Sequence, residues 1–300
     1  MAAFRVGMEI GRDRASMCMV DAQGGVQCRR LFSAASTPSP ERFADTLCDH
    51  LEDMLLKRGM MPAEVRHIGV AVAGQVDRSL AQVIHAPDVF GTAPVALASL
   101  IEGRIGVTPL VMGEACAAAN AELRFGAGAP DFLCITLGRH SAVAVVRQGK
   151  IALDETAAAT DAALNALRQT AVQTLSTHAL TRLAVERFPE AFAAGKPSIR
   201  DVLAHAEAGD APWIALIDAA AKTFASELRE VMAACRVPAA AVGGMLAAHG
   251  ETIMEPLARQ LVMAAERDNP GAEPLTLRPA VYGGDAVMVG AAFFSAQVFA

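Results

Sequence analysis

The chain has 300 residues and a formal net charge of −6, with its basic residues scattered, which argues against a nucleic-acid surface. No uncharged apolar run reaches the ~18–20 residues that a membrane helix needs, although the mean hydropathy is +0.33, so no membrane contact is expected. Cys18, Cys28, Cys48, Cys116, Cys134 and Cys235 stand far apart with no CxxC pair, so neither disulfides nor a cysteine-held zinc is expected. Charges in MAAFRVGMEIGRDR come too early for a secretory leader, and a cytoplasmic location is the plain expectation.

Phe4–Ile10 and Ala15–Asp21 are short β-forming runs around a polar turn, and Ala22–Gly25 turns the chain into a third antiparallel strand, Val26–Phe32. Ser39–Pro40–Glu41 starts a helix whose apolar stripe is Phe43, Leu47, Leu51, Met54 and Leu55, and Gly59 ends it. His67–Ala73 reads as a buried strand before a Gly74–Asp77 loop, Val95–Ile105 as a helix, and Leu110–Met112 as the next strand.

A second copy of the pattern starts near Asp131, with strands Phe132–Leu137 and Ala142–Arg147 and a turn at Gln148–Lys150 into Ile151–Leu153. Helical stretches follow over Ala157–Arg187, either unbroken or broken into two, and over Trp213–Ala234, and Ile151–Leu175 reads as continuous helix. Pro238–Val242 is a strand, Gly243–Gly244 a turn, Thr252–Arg267 a helix, Leu275–Pro279 an edge strand and Asp285–Phe299 a closing helix. Two halves of this kind predict a duplicated α/β fold, mixed sheets with helices on both faces. The expected division is 1–120 with the closing helix 285–300, and 121–284. Trp213 is read as a packing residue, and His85, His178, His205 and His249 occur singly, without metal-ligand partners at helical spacing.

Pro109–Gly126, PLVMGEACAAANAELRFG, is the most informative stretch: a short buried strand, a tight turn carrying Glu114, then an alanine-rich helix. Such a turn holds an acid at the mouth of a sheet, beside a helix N-terminus. The segment resembles the V-E-N-D-A-N-A-A-A-x-A-E-x-x-x-G of the ROK family (repressors, open reading frames and sugar kinases). Five more segments are similar and stand at family-like spacing. VGMEIGRDRASMCMVDAQGGV resembles the family's I-G-x-D-I-G-G-T opening, and HIGVAVAGQVDRSLAQVIHAPDVFG its I-G-x-x-x-P-G-x-V-D…A-P-N-L. FLCITLGRHSAVAVVRQGKI follows V-T-L-G-T-G-I-G-x-G-I-V-x-x-G-K-L, and GGDAVMVGAAFFS follows D-A-x-x-x-G-A-A-x-x-A. AAVGGMLAAHGETIMEPLARQL is similar to the segment that packs near adenosine.

The resemblance implies a two-lobed actin-like ATPase (ribonuclease H-like) fold, with nucleotide bound in the cleft between the halves. It also implies ATP and magnesium as cofactors, a sugar or sugar derivative as ligand, and a homodimer. Glu114 stands where the family's Asp takes a proton from a sugar hydroxyl. Gly74, Asp88, Gly113 and Cys116 fall at the acceptor, Gly11, Arg12, Gly138 and Arg139 at the phosphates, and Gly243 and Gly244 beside adenosine. With the first strand starting near residue 4, no DNA-reading domain is expected ahead of it.

The departures from the pattern are concerted. D-I-G-G-T becomes Glu9–Ile10–Gly11–Arg12–Asp13, and L-G-T-G-I-G becomes Leu137–Gly138–Arg139–His140–Ser141–Ala142. Phosphate loops use glycine so that backbone N–H groups can approach phosphate, and here bulky or acidic groups replace it. Two acceptor-binding Asn residues become Gly113 and Cys116, and a third becomes Asp88. The family's G-E-I-G-H and zinc knuckle have no counterpart in Ile151–Leu175; Asp154 and Glu155 are the carboxylates present there. The expectation is therefore a ROK-type scaffold used as a ligand-binding pseudokinase or sensor. The alternative is an active ATP-dependent sugar kinase with Glu114 as base. A third reading is a kinase for an altered acceptor, with Arg139 and His140 meeting an anionic group.

Overall fold

The computed structural model describes residues 4–34, 39–65, 67–126, 130–139, 141–152, 158–193, 195, 197–268 and 275–295. The chain divides into two compact units, Met1–Ala127 with Asp285–Ala300, and Gly128–Gly284.

In the first unit, β1 (Arg5–Ile10), β2 (Arg14–Val20) and β3 (Val26–Ser33) form an antiparallel meander, followed by α1 (Pro40–Leu56) and β4 (Ile68–Val72). A two-strand ribbon of β5 (Gln75–Val76) and β6 (Val83–His85) precedes α2 (Leu97–Ile105), β7 (Leu110–Gly113) and α3 (Glu114–Phe125). The sheet order is β3-β2-β1-β4-β7, with β1, β4 and β7 parallel. In the second unit, β8 (Phe132–Leu137), β9 (Ser141–Arg147) and β10 (Lys150–Ile151) form the matching meander. Next come α4 (Ala158–Gln173), α5 (Thr177–Arg187), α6 (Ile199–Glu207), α7 (Ala211–Cys235), β11 (Ala239–Gly243), α8 (Glu255–Asp268) and β12 (Thr276–Pro279). Its sheet, β10-β9-β8-β11-β12, repeats the first position by position, with β8, β11 and β12 parallel. The last helix, α9 (Ala286–Ala292), belongs to the first unit.

Strand alternation divides the first sheet's two faces. Val6, Met8 and Ile10 of β1 enter a core with Phe43, Leu47 and Leu51 of α1 and Ile101 of α2. Arg5, Gly7 and Glu9 lie on the other face, where α9 packs. The approach there is backbone to backbone: a Cβ on Gly7 would sit 1.8 Å from the Met288 carbonyl oxygen, and one on Gly69 1.9 Å from that of Ala291. Gly290 does the same against α3, 1.7 Å from the Ala117 oxygen, and buried Asn120 donates from Nδ2 to the Gly290 carbonyl at 2.8 Å.

Four differences from the sequence reading have local causes. Ile151–Leu175 is not one helix: β10 includes Ile151, α4 runs from Ala158, and fully buried Ser176 starts α5 by accepting from the Ala179 N–H at 3.0 Å. Asp154 and Glu155 lie outside the described residues. The closing helix is shorter than 285–299, because Phe293 and Phe294 follow the small residues that fit against the sheet; residues 296–300 lie outside the described residues. A π-helical turn, Gly250–Met254, precedes α8. Helix α6, absent from the sequence reading, is set by Asp201, whose carboxylate accepts from the Ser198 N–H and Oγ–H. Because Ser176 satisfies an otherwise orphaned N–H inside the core, Ser176→Ala is expected to cost about 1–2 kcal/mol, read as a lower urea midpoint at unchanged m-value.

Trp213 packs as expected, 6% exposed against Phe188 and Phe192. His205 stacks on it at 4.3 Å and bonds Asp210, while His249 bonds Glu207. No described helix is long and apolar enough to cross a membrane.

Candidate active site

In the first unit the parallel strands end together, because Ile10 pairs with Val72 and Val72 with Gly113. Ligands of α/β sheets gather outside such carboxyl ends. The Ala73 N–H donates to the Ile10 carbonyl, and Gly74 turns back by donating to Val72. A side chain on Gly74 would strike the His85 oxygen and Ala86 Cβ (2.6 and 2.7 Å), while one on Gly113 would rest 3.7 Å from the Gly74 oxygen. Gly74, Gly113, Glu114 and the Ala86–Gly91 turn, which carries Asp88, are therefore one neighbourhood.

Glu114 is the first residue of α3, with Gly113 as its cap. A helix N-terminus favours a carboxylate by up to about 1 kcal/mol. Burial outweighs it here: together with the nearby Glu9 charge it pushes the Glu114 carboxyl up to about 8 from an ordinary 4.5. Glu9 is raised as well, again mainly by burial, with Asp285 adding to the effect. The Ser16 hydroxyl donates to Glu9 Oε2 at 3.4 Å and opposes the rise, as does Arg14. Asp285, at the start of α9, is raised by burial and held back by its ion pair with Arg29.

Glu9 and Asp285 received no role from the sequence, although a signal existed for both. Glu9 stands at the acidic first position of the D-I-G-G-T-like loop, and Asp285 at the Asp of the closing motif. Among the described residues, no three His, Cys, Asp or Glu side chains gather to hold a metal ion. Magnesium accompanying a nucleotide needs no such cage, since phosphates and water supply most of its ligands.

Arg12 and Asp88, assigned by sequence to phosphate and acceptor, instead meet each other, with Arg12 Nη1 donating to Asp88 Oδ1 at 3.2 Å. Arg12 also lies 4.0 Å from Asp13, and Gly11 closes the β1–β2 turn by donating to Arg14. Cys116 sits partly exposed in the first turn of α3.

The four glycine and arginine positions assigned to nucleotide in the second unit share one sheet end. Gly243 pairs with Thr136, so Gly244 falls beside Leu137, and Gly138 and Arg139 follow directly. Gly244 has φ +86°, and a Cβ there would lie 2.5 Å from the Leu137 oxygen, so this edge stays bare. The Gly138 carbonyl accepts from the Thr177 N–H at the start of α5. Arg139 is exposed, and His140 lies outside the described residues. Ser141 adds a buried hydroxyl with no hydrogen-bond partner, a feature the sequence did not single out.

Two mixed sheets of the same order, with a half-buried acid at a strand-to-helix turn in the first, define the actin-like ATPase fold. A family model described as the ROK family matches residues 5–162, more than half of the chain, and the chain belongs to that family. A glucokinase of Streptomyces coelicolor is 28% identical over 135 residues, 44% of this chain. The match spans 40% of that relative's length. Among solved structures, a ROK family glucokinase from Streptomyces griseus in complex with glucose and AMPPNP superposes with a TM-score of 0.80. The two are 22% identical over 98% of this chain and 100% of that one. The ROK hexokinase from Thermus thermophilus gives 0.71, at 20% identity and 96% of each chain. At such identities the likeness establishes the fold.

Proposed function

We propose that this chain is a sugar-binding ROK protein whose phosphoryl transfer to ordinary hexoses is lost or strongly reduced. The observation that carries this reading is the Arg12–Asp88 ion pair, which commits a phosphate-loop side chain and an acceptor-loop side chain to each other. Around Glu114, Gly113 offers no side chain and Cys116 only a weak donor, so the acceptor hydroxyls lose the amide partners a sugar site uses. Losses in separate segments act together, because phosphoryl transfer depends almost wholly on positioning and electrostatics.

A second reading is favoured by one feature. Glu114, half-buried beside Glu9 and pushed up to about 8, is a base tuned toward neutral pH. Bound Mg-ATP would supply the transferable phosphoryl group, and within the second unit Gly138 would meet its phosphates and Gly243–Gly244 its adenosine. Glu114 would then remove the acceptor hydroxyl proton. In that case the rate rises with pH up to about 8, as Glu114 ionises.

A melting matrix of Mg-ATP and neutral or amino hexoses, paired with an assay for ADP release, tests both readings. A ligand at 100 times its Kd stabilises by about 2.7 kcal/mol. We expect a hexose to raise Tm and ADP release to stay at background in wild type and in Glu114→Asp. Hexose-dependent ADP release abolished by Glu114→Gln would overturn the first reading and establish the second.

A further inference from the structure

The elements that hold Glu114 also build a cluster at their far ends. Strand β1 presents Glu9 near its end and Arg5 at its start on the same face, about 13 Å apart at the rise of a strand. Helix α3 carries Glu114 first and Arg124 ten residues on, about 15 Å along its axis. Phe293, just past α9, completes the far end.

Both guanidiniums are drawn to this one ring: Arg124 Cζ lies 4.5 Å from the Phe293 centroid and Arg5 Cζ 4.9 Å. Phe125 braces the same ring edge-on at 5.1 Å. Among the described residues, no carboxylate forms an ion pair with Arg5 or Arg124. Arg5 is instead pushed down by burial and by the Arg124 charge. Beside them His67 bonds the backbone of Ala291, is lowered by burial and by Arg5, and keeps a buried Nε2 with no hydrogen-bond partner.

Two guanidinium charges held against one aromatic ring repel each other. An oxyanion between them relieves that repulsion, giving the guanidinium forks the planar or tetrahedral acceptor they match. We propose that this end of the first unit is a second binding site, for a small phosphate- or carboxylate-bearing molecule, held by Arg5 and Arg124 with Phe293 as their platform. It is separate from the Glu114 site and does not depend on whether that site transfers phosphate.

The test is a melt of the full chain in inorganic phosphate and in citrate, each against sodium chloride at equal ionic strength, for wild type, Arg124→Ala and Arg5→Ala. Wild type is expected to gain several degrees in at least one of the two anions, and Arg124→Ala to lose most of that gain. A gain confined to phosphate identifies a phosphorylated ligand, and one confined to citrate a carboxylate ligand. Arg124 is exposed and its truncation leaves the fold intact; should Arg5→Ala fail to fold, Arg124→Gln replaces it. No gain in either anion, or an equal gain in the Arg124 variants, overturns the proposal.

Discussion

Replacing Glu114 with Gln is expected to stabilise the chain by about 2 kcal/mol at pH 8 and by almost nothing near pH 4. The folded chain holds the Glu114 proton up to about pH 8, chiefly through burial and then through Glu9, whereas the unfolded chain releases it near 4.5. Between those values the folded state binds more protons, so its stability falls as pH rises, and above about 8 the full penalty is present. Glutamine carries no such proton and escapes the penalty. Taken whole, the displacement corresponds to about 5 kcal/mol; the partial exposure of Glu114 to water and the favourable helix N-terminus bring the expectation to about 2. Melting curves of wild type and Glu114→Gln from pH 4 to 8.5 should diverge by roughly 4–8 °C toward the alkaline end. Parallel curves would show that the carboxyl titrates as an ordinary surface acid. Glu9→Gln is the companion variant: without its charge, Glu114 ionises at lower pH and the wild-type penalty shrinks.

Gly290→Ala should destabilise the chain by at least about 3 kcal/mol, lowering Tm by roughly 10 °C. The new methyl would occupy the place of the Ala117 carbonyl, 1.7 Å away, and the obstacle is helix backbone rather than a side chain that can swing aside. Helix α9 would have to withdraw from α3, lengthening the 2.8 Å bond from buried Asn120. Gly103→Ala is the control, exposed in the last turn of α2 with nothing within 4 Å; it is expected to gain about 0.5–1 kcal/mol from helix propensity alone. Equal effects at the two glycines would refute the close-approach account.

The fold was legible because its signals are local and repeated. Alternation in β1, the continuous apolar run of β8, proline in the first turn of α1, and glycine pairs at the turns each mark a place within a few residues. The order of motifs identified the family even where their chemistry had changed. What escaped depends on distance in the chain. Arg12 and Asp88 are separated by 76 positions and were given different ligands, and only the closeness of two loops joins them. Glu9 and Asp285 carried motif positions but no role, because the influence of Glu9 on Glu114 and of Asp285 on Glu9 arises from stacking α3 and α9 on one face of the first sheet. Ser176 was passed over because its neighbours continue a helical pattern, while its buried hydroxyl starts a new helix.

The backbone contact between the first strand and the last helix has a consequence for how the chain is made. Residues 128–284 form a contiguous unit that can complete its core as it leaves the ribosome. The earlier-made unit stays open until α9 arrives, a delay of roughly 8–30 s at typical rates of synthesis. During that interval the faces around Gly7 and Gly69, shaped to take a bare helix backbone, are uncovered. Helix α9 thus acts as the closing stitch of a unit begun before the second was made, and its removal would leave the strand face around Gly7 and Gly69 uncovered.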